Sequence, residues 1–162
     1  MWNTFYQQYY TDTKDPRVAW TSDSKNPVGD AAVLQLGRVP WYSETKFSKK
    51  ESGINLSSGW EMRLVEAEAK LKNGDAAGAM TLINKHRVSL GLQAWTAATA
   101  TDAGTILKRE RGIELWLEAR RLGDLRRWAA ANRPGVTDDM TGRDLCFPIS
   151  KSEKETNPNL SS

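Results

Sequence analysis

The chain has almost none of the residues on which site chemistry is most often built. Its 162 residues include one histidine, His86, and one cysteine, Cys146. A single thiol permits no internal disulfide, and there is neither a CxxC pair nor a Cys/His spacing suited to zinc. His86 stands between Lys85 and Arg87 in a predicted helix, where it reads as a packed or solvent-facing ring rather than a ligand or a base. No nucleophile elbow, phosphate-binding loop, dinucleotide fingerprint or HExxH is present. No metal and no cofactor are therefore expected, and enzyme is the weaker class.

Long apolar runs are missing too. Nothing approaches the roughly 18 apolar residues that a membrane-spanning helix needs, and Met1-Trp2-Asn3-Thr4-Phe5 has neither the basic nor the apolar region of a secretory signal. Nor is charge of one sign concentrated. Twenty-three Lys and Arg against twenty Asp and Glu leave a formal +3. The densest basic stretch, Lys108 to Arg133, has Glu110, Glu114, Glu118 and Asp124 threaded through it. Interleaved carboxylates lower the potential that would attract a polyanion, so no nucleic-acid partner is expected.

A 39% hydrophobic content supports one core of ordinary size. Residues 1–59 are rich in Asp, Ser, Lys, Pro, Gly and aromatics without a helical period, and read as long loops with one or two short strands. Val33 to Leu36 and Trp41-Tyr42 are the best strand candidates. Residues 60–133 form the expected helical core. The first helix runs from Trp60 to near Asn73-Gly74, capped by Ser57 or Ser58, and the second follows Asp75 and stops at Gly91. With only a Gly-Asp turn between them, these two form an antiparallel hairpin. A third helix, capped by Thr101 or Asp102, carries Ile106, Ile113 and Leu117 on one face, and Gly123 is the expected break before a short last helix. Residues 134–162 read as an irregular tail with one apolar cluster, Leu145 to Ile149.

Glu110, Glu114 and Glu118 recur every four residues in the third helix. Two carboxylates on one face invite a glycosidase reading. A general acid, however, needs surroundings that disfavour its charge, and these residues sit among Arg111 and Arg121, with Asp124 and Arg127 just beyond the bend. We read the set as a structural network of Arg–carboxylate pairs. The aromatics of the first stretch lie in polar sequence, where a flat ring can stack on a sugar while its neighbours bond the hydroxyls. Trp20, Trp41 and Tyr42 are the candidate ligand-binding residues, with Trp20 and Trp41 expected to be exposed.

Several segments in order carry a resemblance. Glu61 to Ala69, Asn73-Gly74-Asp75, Ala79 and Ile83 to Arg87 are similar to the tetratricopeptide-like hairpin of the SusD/RagB family. Ile106 to Trp128 resembles that family's ER-x-x-EL-x-x-E-x-x-R-x-x-DL-x-R segment. Phe147-Pro148-Ile149-Ser150 with Glu153, and Asn157-Pro158-Asn159-Leu160, resemble its closing PIP-x-x-E and NP-x-L elements. Asp15-Pro16-Arg17 resembles its DPR element, and Lys46-Phe47 a Lys-aromatic pair. The chain departs at Ala119, where the family usually has Gly, and at Ser150, where a second Pro is usual.

The resemblance implies a mainly α, SusD-like partial fold, with a tetratricopeptide-like hairpin, further helices and long irregular loops at both ends. It implies non-catalytic binding of oligosaccharide, or another nutrient such as peptide, for delivery to a SusC-like TonB-dependent transporter. The place would be the outer face of the cell outer membrane, reached through a lipid anchor that this chain lacks. Because family members are longer, the sequence is expected to be a C-terminal portion. The alternatives are a tetratricopeptide-type scaffold for protein partners and a glycoside hydrolase.

Overall fold

A computed structural model describes residues 4–22, 40–131 and 149–160; Trp2, Val33 to Leu36 and Leu145 to Pro148 lie outside them. The chain forms two compact units, Met1–Arg121 and Leu122–Ser162. The first opens with helix α1, Phe5–Thr13, followed by a single 3-10 turn, Pro16–Val18. Strands β1, Trp20–Ser22, and β2, Tyr42–Glu44, pair antiparallel with Trp20 opposite Glu44 and Ser22 opposite Tyr42. Helices α2, Gly59–Lys72, α3, Ala76–Ser89, and α4, Ala100–Glu114, follow. Helix α5, Arg121–Ala130, begins at the end of this unit, and the second unit adds α6, Lys151–Thr156, and a terminal 3-10 turn.

The hairpin of α2 and α3 has the ends that its sequence signals. Ser58 caps α2 by accepting from the Glu61 N–H, and Asp75 caps α3 by accepting from that of Gly78. Gly74 and Gly91 adopt φ of 83° and 73° just past the two C-termini. There the Asp75 N–H bonds the Lys70 carbonyl and the Leu92 N–H that of Arg87. Both are six-to-one Schellman closures that a Cβ would disfavour. Between the helices Ala67 and Ala79 are fully buried beside Leu64 and Ile83, and α4 completes this core with Ile106 and Leu107. Small residues at the crossing let the backbones approach closely enough for the larger ones to interdigitate.

Three expectations change. The stretch to residue 59 is not loops and strands alone, for α1 occupies part of it. Phe, Tyr and Thr are weak helix formers, and what holds α1 is packing: Tyr9 joins Val18, Ile113 and Trp116 in a second core cluster. The cap of α4 is Thr99, in a reciprocal capping box with Asp102, two or three residues before the expected Thr101 or Asp102. Helix α4 stops at Glu114, and Gly123 lies inside α5 rather than at a break. The segment after α4 contains Leu117 and Ala119, both left-handed with φ of 63° and 59°. Only glycine enters that region without steric cost. Replacing Ala119 by Gly should therefore raise stability by about 0.5–1 kcal/mol, read as a higher urea midpoint at unchanged slope.

Candidate functional site

The 3-10 turn places Arg17 against α4. Asp15 accepts from the Arg17 backbone N–H, and Pro16 presets the first turn dihedral, so the Asp-Pro-Arg element folds on itself. The guanidinium then bonds Asp15 through Nε at 3.0 Å and Nη2 at 2.7 Å. Its Nη1 reaches two successive carboxylates of α4, Glu110 at 2.6 Å and Glu114 at 2.8 Å. These two stand one helical turn apart on one face, a spacing that one guanidinium can bridge. The Arg17 side chain is 8% exposed, those of Glu110 and Asp15 1% and 0%. Burial opposes the charge of Arg17, yet its three carboxylates raise its pKa further above the usual arginine range.

The other oxygen of Glu110 is bound from α3 and from the segment that follows it. Glu110 Oε2 accepts from Arg87 at 3.3 Å and from the Trp95 indole at 2.7 Å. Arg87 donates twice to the Gln93 carbonyl and once, at 2.6 Å, to the Tyr9 hydroxyl, which itself donates to Asp15. Burial and this carboxylate neighbour both push the Tyr9 pKa up, against Arg87. Asn84 clasps the Trp95 backbone on both its N–H and its carbonyl. His86 stacks on Trp60 with ring centroids 4.1 Å apart and bonds Glu114 at 2.7 Å. It is a packed imidazole.

The carboxylates at 110 and 114 thus meet Arg17, Arg87 and His86, which come from outside their own helix. Glu118, beyond the end of α4, pairs with Lys46 at 2.7 Å. The same ammonium donates to the Glu114 and Trp116 carbonyls at 3.3 and 2.9 Å, closing the C-terminus of α4 with positive charge. Arg111 approaches Glu61 of α2 at 3.9 Å, and Arg121 the Lys108 carbonyl at 3.5 Å. In the second unit Asp124 and Arg127 pair locally at 3.2 Å. Arg17 and Lys46 were visible as family-like elements. Their partners were not visible, because 93 residues separate Arg17 from Glu110.

Of the candidate ligand residues Trp20 lies on β1 and Tyr42 on β2, and Trp41 directly precedes β2. Trp20 is half-buried, edge-on to Tyr42 at 4.7 Å and to Tyr10 at 5.5 Å, so it packs the hairpin against α1 instead of being exposed. Tyr42 is half-buried and accepts from Gln7 of α1. Trp41 is 47% exposed, its indole N–H held by the Ser43 hydroxyl at 2.7 Å. Two hollows flank Trp95, of about 300 and 380 Å³. That is the lower end of pockets that enclose small ligands, so a sugar chain would lie on this surface rather than inside it.

The model of the SusD family matches residues 3–162. The chain belongs to the SusD family. No curated protein and no solved structure matches it. The mainly helical architecture with its tetratricopeptide-like hairpin is the one that SusD membership entails, and the family's general role is non-catalytic binding of nutrients, glycans among them, at the cell surface. The Asp15–Arg17–Glu110 centre is the ionic core of this SusD-family fold, which brings the aromatic segment to the helices.

Two outcomes test that centre. Arg17→Met leaves Glu110 and Asp15 buried with a lost partner and should cost about 3–5 kcal/mol in urea denaturation. Asp15 supplies a pH signature: burial opposes its ionisation, but the hydrogen bonds and charge of Arg17 outweigh this and lower its pKa. Its stabilisation is complete above the ordinary value of 3.8 and is lost as pH falls through the lower folded value. Asp15→Asn should flatten the fall of the urea midpoint in the acid range below about pH 4.

Proposed function

We propose that this chain captures oligosaccharide on the aromatic hairpin of β1 and β2 and that the whole protein passes it to a SusC-like TonB-dependent transporter. It would do so as a lipid-anchored protein on the outer face of the outer membrane. The observation that carries the capture step is Trp41, an indole nearly half exposed yet oriented by a hydrogen bond to Ser43. A rigid flat ring offers apolar area to the CH face of a sugar at little entropic cost. Trp20 and Tyr42, edge-on to one another on the paired strands, complete the candidate site, and Ser43 and Thr21 on the same strands supply hydroxyls.

Hydrolysis fits this geometry poorly. Glu110 is 1% exposed with both oxygens bonded, and Glu114 is held by Arg17 and His86. A substrate would have to displace buried arginines to reach either carboxylate. A protein-binding scaffold is favoured by a different feature: Met62 and Val65 stand 48% and 47% exposed on α2, with Ile54 and Leu56 more so before it. Such a scaffold would leave glycan binding absent altogether.

The test is a glycan panel read by intrinsic tryptophan fluorescence. Trp41→Ala should weaken binding of the responding glycan about tenfold, equal to roughly 1.4 kcal/mol of lost stacking, while far-ultraviolet circular dichroism stays unchanged. A folded chain that answers no glycan overturns the capture reading for this part of the protein.

A further inference from the structure

Arg109 differs from those buried or half-buried cations of the first unit that meet a carboxylate. Arg17 has three carboxylates, Arg87 has Glu110, Arg111 approaches Glu61 and Lys46 has Glu118. Arg109 is half-buried, and among the described residues its guanidinium meets no carboxylate and makes no hydrogen bond. Its Nε is enclosed with no acceptor. The carboxylate next to it in sequence, Glu110, is spent on Arg17, Arg87 and the Trp95 indole. Aromatic rings surround the charge instead: its guanidinium carbon lies 5.7 Å from the centre of the Phe5 ring and 5.5 Å from that of Trp95.

Those rings are themselves fixed. Phe5 stacks on Tyr9 with centroids 5.3 Å apart and meets Tyr6 edge-on at 5.4 Å, and 40% of it remains exposed. Trp95 is pinned by Asn84 and Glu110. A planar donor fork that meets no carboxylate among the described residues, partly withdrawn from water and set beside an exposed, immobilised ring, has the components of a receptor for a carboxylate carried on an apolar-faced ring. Partial burial strengthens an ion pair made there, and the fork suits two-point contact with a carboxylate.

We propose that Arg109 and Phe5 form a subsite for an acidic sugar, a uronate-type residue whose carboxylate pairs with Arg109 while its ring packs on Phe5. On α1, Phe5 lies opposite Gln7 and Tyr10, the residues that face Tyr42 and Trp20. The subsite is thus distinct from the Trp41 surface. It selects among glycans by charge and rests on the capture reading above.

The experiment compares uronate-containing oligosaccharides (oligogalacturonate, oligoalginate and glucuronic-acid-bearing xylo-oligosaccharide) with their carboxyl-reduced counterparts, on the full chain and on Arg109→Gln, Arg109→Lys and Phe5→Leu. Thermal melts establish that each variant is folded. At least one acid form should bind about tenfold or more tightly than its reduced counterpart, less so as salt rises. Arg109→Gln should erase that ratio, and Arg109→Lys should keep only part of it, since an ammonium lacks the fork. Reduced forms that bind as tightly as the acids, or an acid preference that survives Arg109→Gln, overturn the subsite while capture stands. Binding of acidic peptides through Arg109 in place of any sugar overturns it as well. If neither acid nor neutral glycans bind, capture itself fails and the subsite with it.

Discussion

A guanidinium taken out of water must be matched atom by atom, and in this protein that requirement falls on Arg17. Three carboxylates converge on it, one from its own turn and two from α4. Unpaired, any of them would be a costly buried charge. The turn after α1 can therefore sit in only one register on α4, and α1 and β1, on either side of that turn, are positioned with it. Glu110 extends the constraint to α3 through Arg87 and to the Trp95 loop through the indole. One charge centre thus joins elements that local sequence preference would leave free.

Such centres confer geometry more than stability, because desolvation cancels much of the Coulomb attraction. The apolar work is done elsewhere, by Leu64, Ile83, Ile106 and Leu107 around the alanine crossing of the hairpin. This division suits a binding protein. A greasy helical core carries the fold, while a charged hub orients an aromatic segment that would otherwise have little reason to hold one conformation. Lys46 repeats the device on a smaller scale, anchoring the chain just after β2 to the last carbonyls of α4.

The aromatic residues divide by what surrounds them. Tyr9, Trp95, Trp116 and Trp128 are packed, and Trp20 and Tyr42 brace one another. Trp41 and Phe5 keep large exposed faces on rings whose orientation is set by neighbours. Exposure together with rigidity distinguishes a stacking surface from a filler of core, since an ordered ring loses little further freedom on binding.

The helical hairpin, its caps and its glycine stops were legible because they follow from local rules: a side-chain acceptor before a helix, a left-handed residue after it and small residues at a crossing. The periodic carboxylates at 110 and 114 were also legible as one face of a helix. Their partners were not, because nothing local ties Arg17 or His86 to residues so far along the chain. Helix α1 escaped for a related reason, since its residues favour helix weakly and only packing on Ile113 and Trp116 makes that conformation the best one. The end of α4 was missed because Gly123 signalled a break, while the chain turns earlier through Leu117 and Ala119 at a steric cost that local preference would not accept. The sequence by itself determined the hairpin of α2 and α3, its ends and the charge that the helices carry. The tertiary structure alone decided which charges meet, which aromatics stay exposed and that Arg109 meets no carboxylate among the described residues, because long-range desolvation and packing set those outcomes.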